Sequence, residues 1–124
     1  MSTIPSDEDF AKAKFRMKER DKNMRQVNEA LRDYFRRICP SKAFDSYIIA
    51  EDFSRFRAYI FFKRNEDIHE CEESGISSQV QKFVYDELER QERGSKESVV
   101  VAFEFDSDEN VQVNFEGDYF LRMR

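Results

Sequence analysis

The period of apolar positions changes along the chain. Val27, Leu31, Tyr34, Phe35 and Ile38 recur at i, i+4, i+7, i+8 and i+11, one stripe of an α-helix beginning near Met24, and Arg32, Arg36 and Arg37 lie off it. Pro40 ends this helix, because the residue before a proline is pushed out of helical geometry. The period then becomes two. Tyr47–Glu51 is a short β-rich run and Asp52–Ser54 a turn. Arg55–Lys63 alternates, with Phe56, Ala58, Ile60 and Phe62 on one face and Arg57, Tyr59, Phe61 and Lys63 on the other. Two aromatics on the second face predict that it is only partly wet, covered by a helix or by a partner.

A short third strand is predicted around Asp67–Glu70. "SSQVQKFVYDELERQERG" reads as a helix, with Ser78 and Gln81 at capping-box spacing and Val80, Phe83, Val84 and Leu88 on one face. Asp86/Arg90 and Glu89/Arg93 are predicted i,i+4 pairs, and Gly94 the stop. Alternation returns near the end of the chain. Val99, Val101, Phe103 and Phe105 share one face, and Val111, Val113 and Phe115 share another. Setting Phe105 opposite Val111 makes a β-hairpin with the loop "DSDEN".

The order is therefore α-β-β-(β)-α-β-β. It predicts an α+β fold, an antiparallel sheet of four or five strands with two main helices on one face. One domain spans residues 24–124. Residues 1–23 form a charged N-terminal arm, helical or frayed, in which "IPSDEDF" holds a turn signal and an acid run, and bases follow at Lys12, Lys14, Arg16, Lys18, Arg20 and Lys22.

Composition sharpens this picture. A chain of 124 residues with 38% charged residues is folded rather than disordered because it also carries 13 Phe, most of which need burial. Two cysteines, Cys39 and Cys71, are too few for a disulfide framework. No apolar run is long enough for a membrane span, and the N-terminus lacks the apolar stretch of a signal peptide, so cytoplasmic residence is the expectation. Residues 1–40 hold 10 Lys/Arg against 7 Asp/Glu, whereas residues 41–124 hold 11 against 19. So acidic a body repels phosphate and disfavours direct nucleic-acid binding; it favours a basic partner or simply solubility.

Candidate chemistry is sparse. Asp106, Asp108 and Asn110 match the first three ligand positions of a calcium loop, but Val111 stands where glycine is required and Gly117 where glutamate is. His69 and Cys71 fall short of the three or four ligands of a zinc site, and nothing orients them as a nucleophile pair. Three scattered glycines write no phosphate loop. No catalytic residue, metal or cofactor is assigned, and the chain is read as a non-enzyme. What stands out is the stretch from Val101 to Phe120, with six carboxylates and no Lys or Arg. Clustered carboxylates speed association with a basic partner, and neighbouring aromatics suit an interface anchor.

The helix "VNEALRDYFRRI", the strands "YIIAED" and "RFRAYIFFKRNED", the helix "SSQVQKFVYDELERQE" and the closing "SVVVAFEFDSDENVQVNFEGDYF" together resemble bacterial immunity proteins of polymorphic-toxin and contact-dependent growth-inhibition systems. The resemblance covers residues 24–120 and rests most on the closing hairpin; the arm departs from it. It implies a cytoplasmic protein that binds a cognate toxin C-terminal domain, typically a nuclease with a basic groove, and occludes its active site without catalysis. The partner-binding residues it implies are Glu104, Asp106, Asp108, Glu109, Glu116, Asp118 and Tyr119, with Glu70, Glu72 and Glu73 as a second patch. The alternative is a general interaction or regulatory module whose basic arm contacts a partner or nucleic acid.

Overall fold

A computed structural model of the chain describes residues 6–124; the part of the turn signal at Ile4 and Pro5 lies outside them. The elements are α1 (Asp7–Arg20), α2 (Met24–Ile38), β1 (Ala43–Ala50), β2 (Arg55–Phe62), α3 (Asn65–Glu73), α4 (Ile76–Arg90), β3 (Val100–Ser107), α5 (Asp108–Asn114) and α6 (Tyr119–Arg122). The fold is α+β. Among the described residues the sheet has three strands in the order β1-β2-β3, and it is mixed: β1 and β2 are antiparallel, β2 and β3 parallel.

Four or five antiparallel strands were expected, and two features account for the difference. The segment at Asp67–Glu70 is helical, because Asp67 accepts the Arg64 N–H at 3.0 Å and caps the start of α3, leaving Cys71 to point into the core. The closing hairpin is absent. Ser107 ends β3 and caps α5, its Oγ accepting the Asn110 N–H at 3.0 Å. A serine followed by two acids is a helix start, with the acids facing the positive end of the helix dipole. Val111 and Phe115, four apart, serve a helical stripe as well as a strand face; Val113 points outward. With no following strand to pair with, β3 joins β2 in parallel after a crossover through α3 and α4, the long connection parallel pairing needs.

One sheet face carries the main core. Ile48, Ala50, Phe56, Ala58, Ile60, Phe62 and Val101 pack against Val27, Leu31 and Phe35 of α2, Cys71 of α3 and Val80, Val84 and Leu88 of α4. The α2 stripe is as expected, with Tyr34 and Ile38 at its half-buried margin. α4 starts two residues before Ser78, after Gly75 in left-handed conformation (φ +88°), so no Ser78–Gln81 box forms. It ends at Arg90 rather than Gly94, and its ion pairs are Lys82–Asp86 (2.6 Å) and Glu87–Arg90 (3.0 Å) instead of those expected. Arg93, beyond the helix, donates to the Arg20 and Lys22 carbonyls at 2.6 and 2.8 Å and ties the foot of α1 to the body.

The outer edge of β1 is closed by side chains of α2. Asn28 donates to the Ile48 carbonyl at 3.0 Å and accepts the Ile48 N–H at 2.8 Å; Arg32 reaches the Ser46 carbonyl at 3.5 Å and Arg36 the Phe44 carbonyl at 3.3 Å. Four residues of helix rise ~6.0 Å and two of strand ~6.7 Å, so an i, i+4, i+8 row can follow alternate strand residues.

Candidate functional site

The second face of the sheet is covered, as its aromatics required. The covering is the chain's own C-terminal segment: Val111 of α5 lies fully buried against Tyr59 and Phe61, with Phe115, Tyr119, Met123 and Tyr47 packed around them. The Tyr119 ring meets Phe61 edge-on at 4.8 Å between centroids. Tyr59 donates to the Met123 carbonyl at 3.2 Å.

Three of the expected partner-binding carboxylates, Glu104, Asp106 and Asp108, are used to hold this segment down. Parallel register places Glu104 beside Tyr59 and Asp106 beside Phe61 on the covered face. Asp106 is buried; it accepts from Arg122 Nε and, at 3.1 Å, from Asn110 Nδ2. Glu104 accepts from Arg57 at 3.2 Å and lies 3.6 Å from Arg122. Arg122 in turn lies over the rings of Tyr59 and Phe115. Burial opposes the charge of Arg122, but its hydrogen bond to Asp106 and the nearby Asp106 and Glu104 charges outweigh this and raise its pKa. Asp108 accepts from the Tyr119 hydroxyl. Burial first, then that bond to a carboxylate, pushes the Tyr119 phenol far above its ordinary range. The acid-only stretch therefore finds its bases elsewhere in the chain, at Arg57 and Arg122.

What is left facing solvent is narrower. Glu109, Glu116 and Asp118 are exposed and make no ion pair among the described residues. Glu109 accepts the Asn65 N–H at 2.9 Å, and Asp118 caps α6 through the Leu121 N–H at 3.1 Å. Between them the chain turns back through two left-handed residues, Glu116 (φ 54°) and Gly117 (φ +74°), and the Gly117 N–H bonds the Val111 carbonyl at 2.9 Å. This double turn carries apolar side chains into solvent: Phe120 is 87% exposed and Val113 74%, with Leu121 beside them. The expected aromatic anchor is thus divided. Tyr119 turns inward and Phe120 outward, because Asp118 caps a single helical turn whose inner side is taken by Tyr119 and Arg122.

The second patch lies on α3. Glu70 pairs with Lys42 at 2.8 Å, which lowers its pKa, and Glu73 pairs with His69 at 3.0 Å. Glu72 is exposed and lines a cavity of about 250 Å³ with Ile68, Ser77, Gln81 and Phe105. His69 is exposed and Cys71 fully buried, so the two point apart. Among the described residues no group of three or more His, Cys, Asp and Glu is placed to hold a metal ion. No helix there is long and apolar enough to cross a membrane. The bases of α1, two residues apart on a helix, spread around its cylinder instead of forming one face. Compared with known proteins, the chain significantly matches no family model, no curated protein and no solved structure.

Proposed function

We propose that this chain is a non-catalytic binding protein that neutralises a cognate bacterial toxin domain, docking through the α5–α6 double turn onto a basic, nuclease-type groove. The observation that carries the binding surface is the exposure, within one C-terminal segment, of the apolar Phe120 and Val113 together with the carboxylates Glu109, Glu116 and Asp118. Interface centres are built from such anchors, and a carboxylate rim steers a basic partner and discourages wrong ones. The surface stands on a packed support, since Val111, Phe115 and Tyr119 fasten the same turns to the sheet. The resemblance to immunity proteins names the kind of partner. Its closing hairpin is replaced here by a strand and two short helices, so the reading now rests on the surface and on the remaining order of elements.

The test is co-expression with the C-terminal domain of a large gene adjacent to this one, scoring host growth and co-purification. Rescue of a toxic domain with a stable complex is the expected result. A toxic domain that is neither neutralised nor bound overturns it.

A further inference from the structure

α1 is fourteen residues long and buries none of them. A helix of that length is marginal in water unless a packed face supports it. Its start is secured by a capping box between Ser6 and Asp9, and its foot by Arg93, but its length has no partner among the described residues. Yet it is built for one. Phe10, Ala13 and Met17, at i, i+3 and i+7, form an apolar stripe, and Phe10 is 59% exposed. At its foot lies an apolar hollow of about 220 Å³, lined by Arg16, Met17, Arg20, Glu51, Asp52 and Phe53; Phe53 is 56% exposed. That space accommodates a benzyl side chain.

The charges of α1 identify the occupant. The first turn holds Asp7, Glu8 and Asp9, and the rest of the helix holds Lys12, Lys14, Arg16, Lys18 and Arg20 against a single acid, Glu19. Such a helix complements itself when turned end for end. Antiparallel pairing about Ala13 and Lys14 sets the acidic turn of each copy beside the basic turns of the other, and Phe10 of each opposite Met17 of the other. Phe10 then enters the hollow beside Met17 and Phe53. A parallel pair would set like charges together.

We propose that α1 is a self-association element: two copies pair antiparallel through α1 about a two-fold axis, each seating Phe10 in the other's hollow. The contact is isologous and closes at a dimer, with no surface left over for growth. It leaves the α5–α6 surface to other partners and does not depend on its role.

The test is sedimentation equilibrium of the full chain from low micromolar to millimolar concentration. A monomer–dimer equilibrium is expected, weakened by about tenfold or more, roughly 1.4 kcal/mol, in Phe10→Asp. Because α1 buries nothing, that variant keeps its fold, and an unchanged unfolding midpoint checks it. Orientation is read from engineered thiols. Ala13→Cys, near the axis, is expected to cross-link two copies under mild oxidation, and Asp7→Cys is not; Cys39 and Cys71 are buried. A monomer at every concentration, a dimer indifferent to Phe10→Asp, or equal cross-linking from both thiols would overturn the proposal.

Discussion

Arg122 donates its Nε to the buried carboxylate of Asp106, closing the C-terminus over the sheet at the point where β3 gives way to α5. The pair is mostly shielded from water, with side chains 17% and 11% exposed. Removing Arg122 leaves the Asp106 carboxylate without an ion-pair partner among the described residues, whereas removing Asp106 leaves Arg122 with Glu104, 3.6 Å away. Arg122→Ala is therefore expected to cost ~2–4 kcal/mol, read from denaturant unfolding, and Asp106→Asn less, since an amide still accepts a hydrogen bond. A double-mutant cycle should return a coupling of about 1–3 kcal/mol. A coupling near zero would mean that the segment is held by Val111 and Tyr119 alone.

The Asn28 side chain occupies both the N–H and the carbonyl of Ile48 on the outer edge of β1. Asn28→Ala strips two hydrogen bonds from a strand edge at once. A loss of ~2–3 kcal/mol is expected, with light scattering that rises on warming as the uncovered edge recruits other chains. Asn28→Asp, which keeps the acceptor and loses the donor, should fall between.

Tyr119 supplies a pH dependence with a definite sign. Its phenol titrates near 10 in the unfolded chain and well above that when folded, where burial and Asp108 both favour the neutral form. The stability this contributes is complete below about pH 10 and is lost as pH rises above it. Tyr119→Phe should remove that alkaline loss while lowering stability at neutral pH by about 1 kcal/mol. Burial shifts Tyr47 and Tyr59 upward as well, so the contribution of Tyr119 is read as the difference between the ultraviolet titrations of the unaltered chain and Tyr119→Phe.

Burial raises the Cys39 thiol to about 11, and Cys71 is raised for the same reason. Both should resist a disulfide reagent at neutral pH in the folded chain and react fully once it unfolds. Prompt reaction of one thiol under native conditions would place it outside the core.

The elements with one possible reading were legible in the sequence. The α2 stripe, the stop at Pro40 and the two faces of β2 follow from spacing alone, and two aromatics on the second face of β2 announced its cover. The sequence is ambiguous where two periods share the same residues. Val111 and Phe115 satisfy an alternating strand and an i,i+4 helix equally, and only the local chemistry separates them: Ser107 followed by Asp108 and Glu109 is a capped helix start. At α3 only the acids remain of that signal, Glu66 and Asp67 before Ile68, with Arg64 in the capping position. Of the expected contact residues, those at Glu104, Asp106 and Asp108 were not separable from structural ones by sequence, because their partners Arg57, Arg122 and Tyr119 are brought to them only by the fold. Phe120 stands out only once Tyr119 is seen to turn inward.

The proposed docking surface is the exposed double turn of α5 and α6. The most direct measurement is the affinity of the toxin-domain complex for the Phe120→Ala/Val113→Ala variant against the unaltered protein, taken with the thermal midpoint of each. Both side chains lie in solvent, so the midpoint should move little, by no more than ~0.5 kcal/mol in stability, while binding weakens by about tenfold or more. Unchanged affinity at unchanged stability would contradict the assignment of this surface.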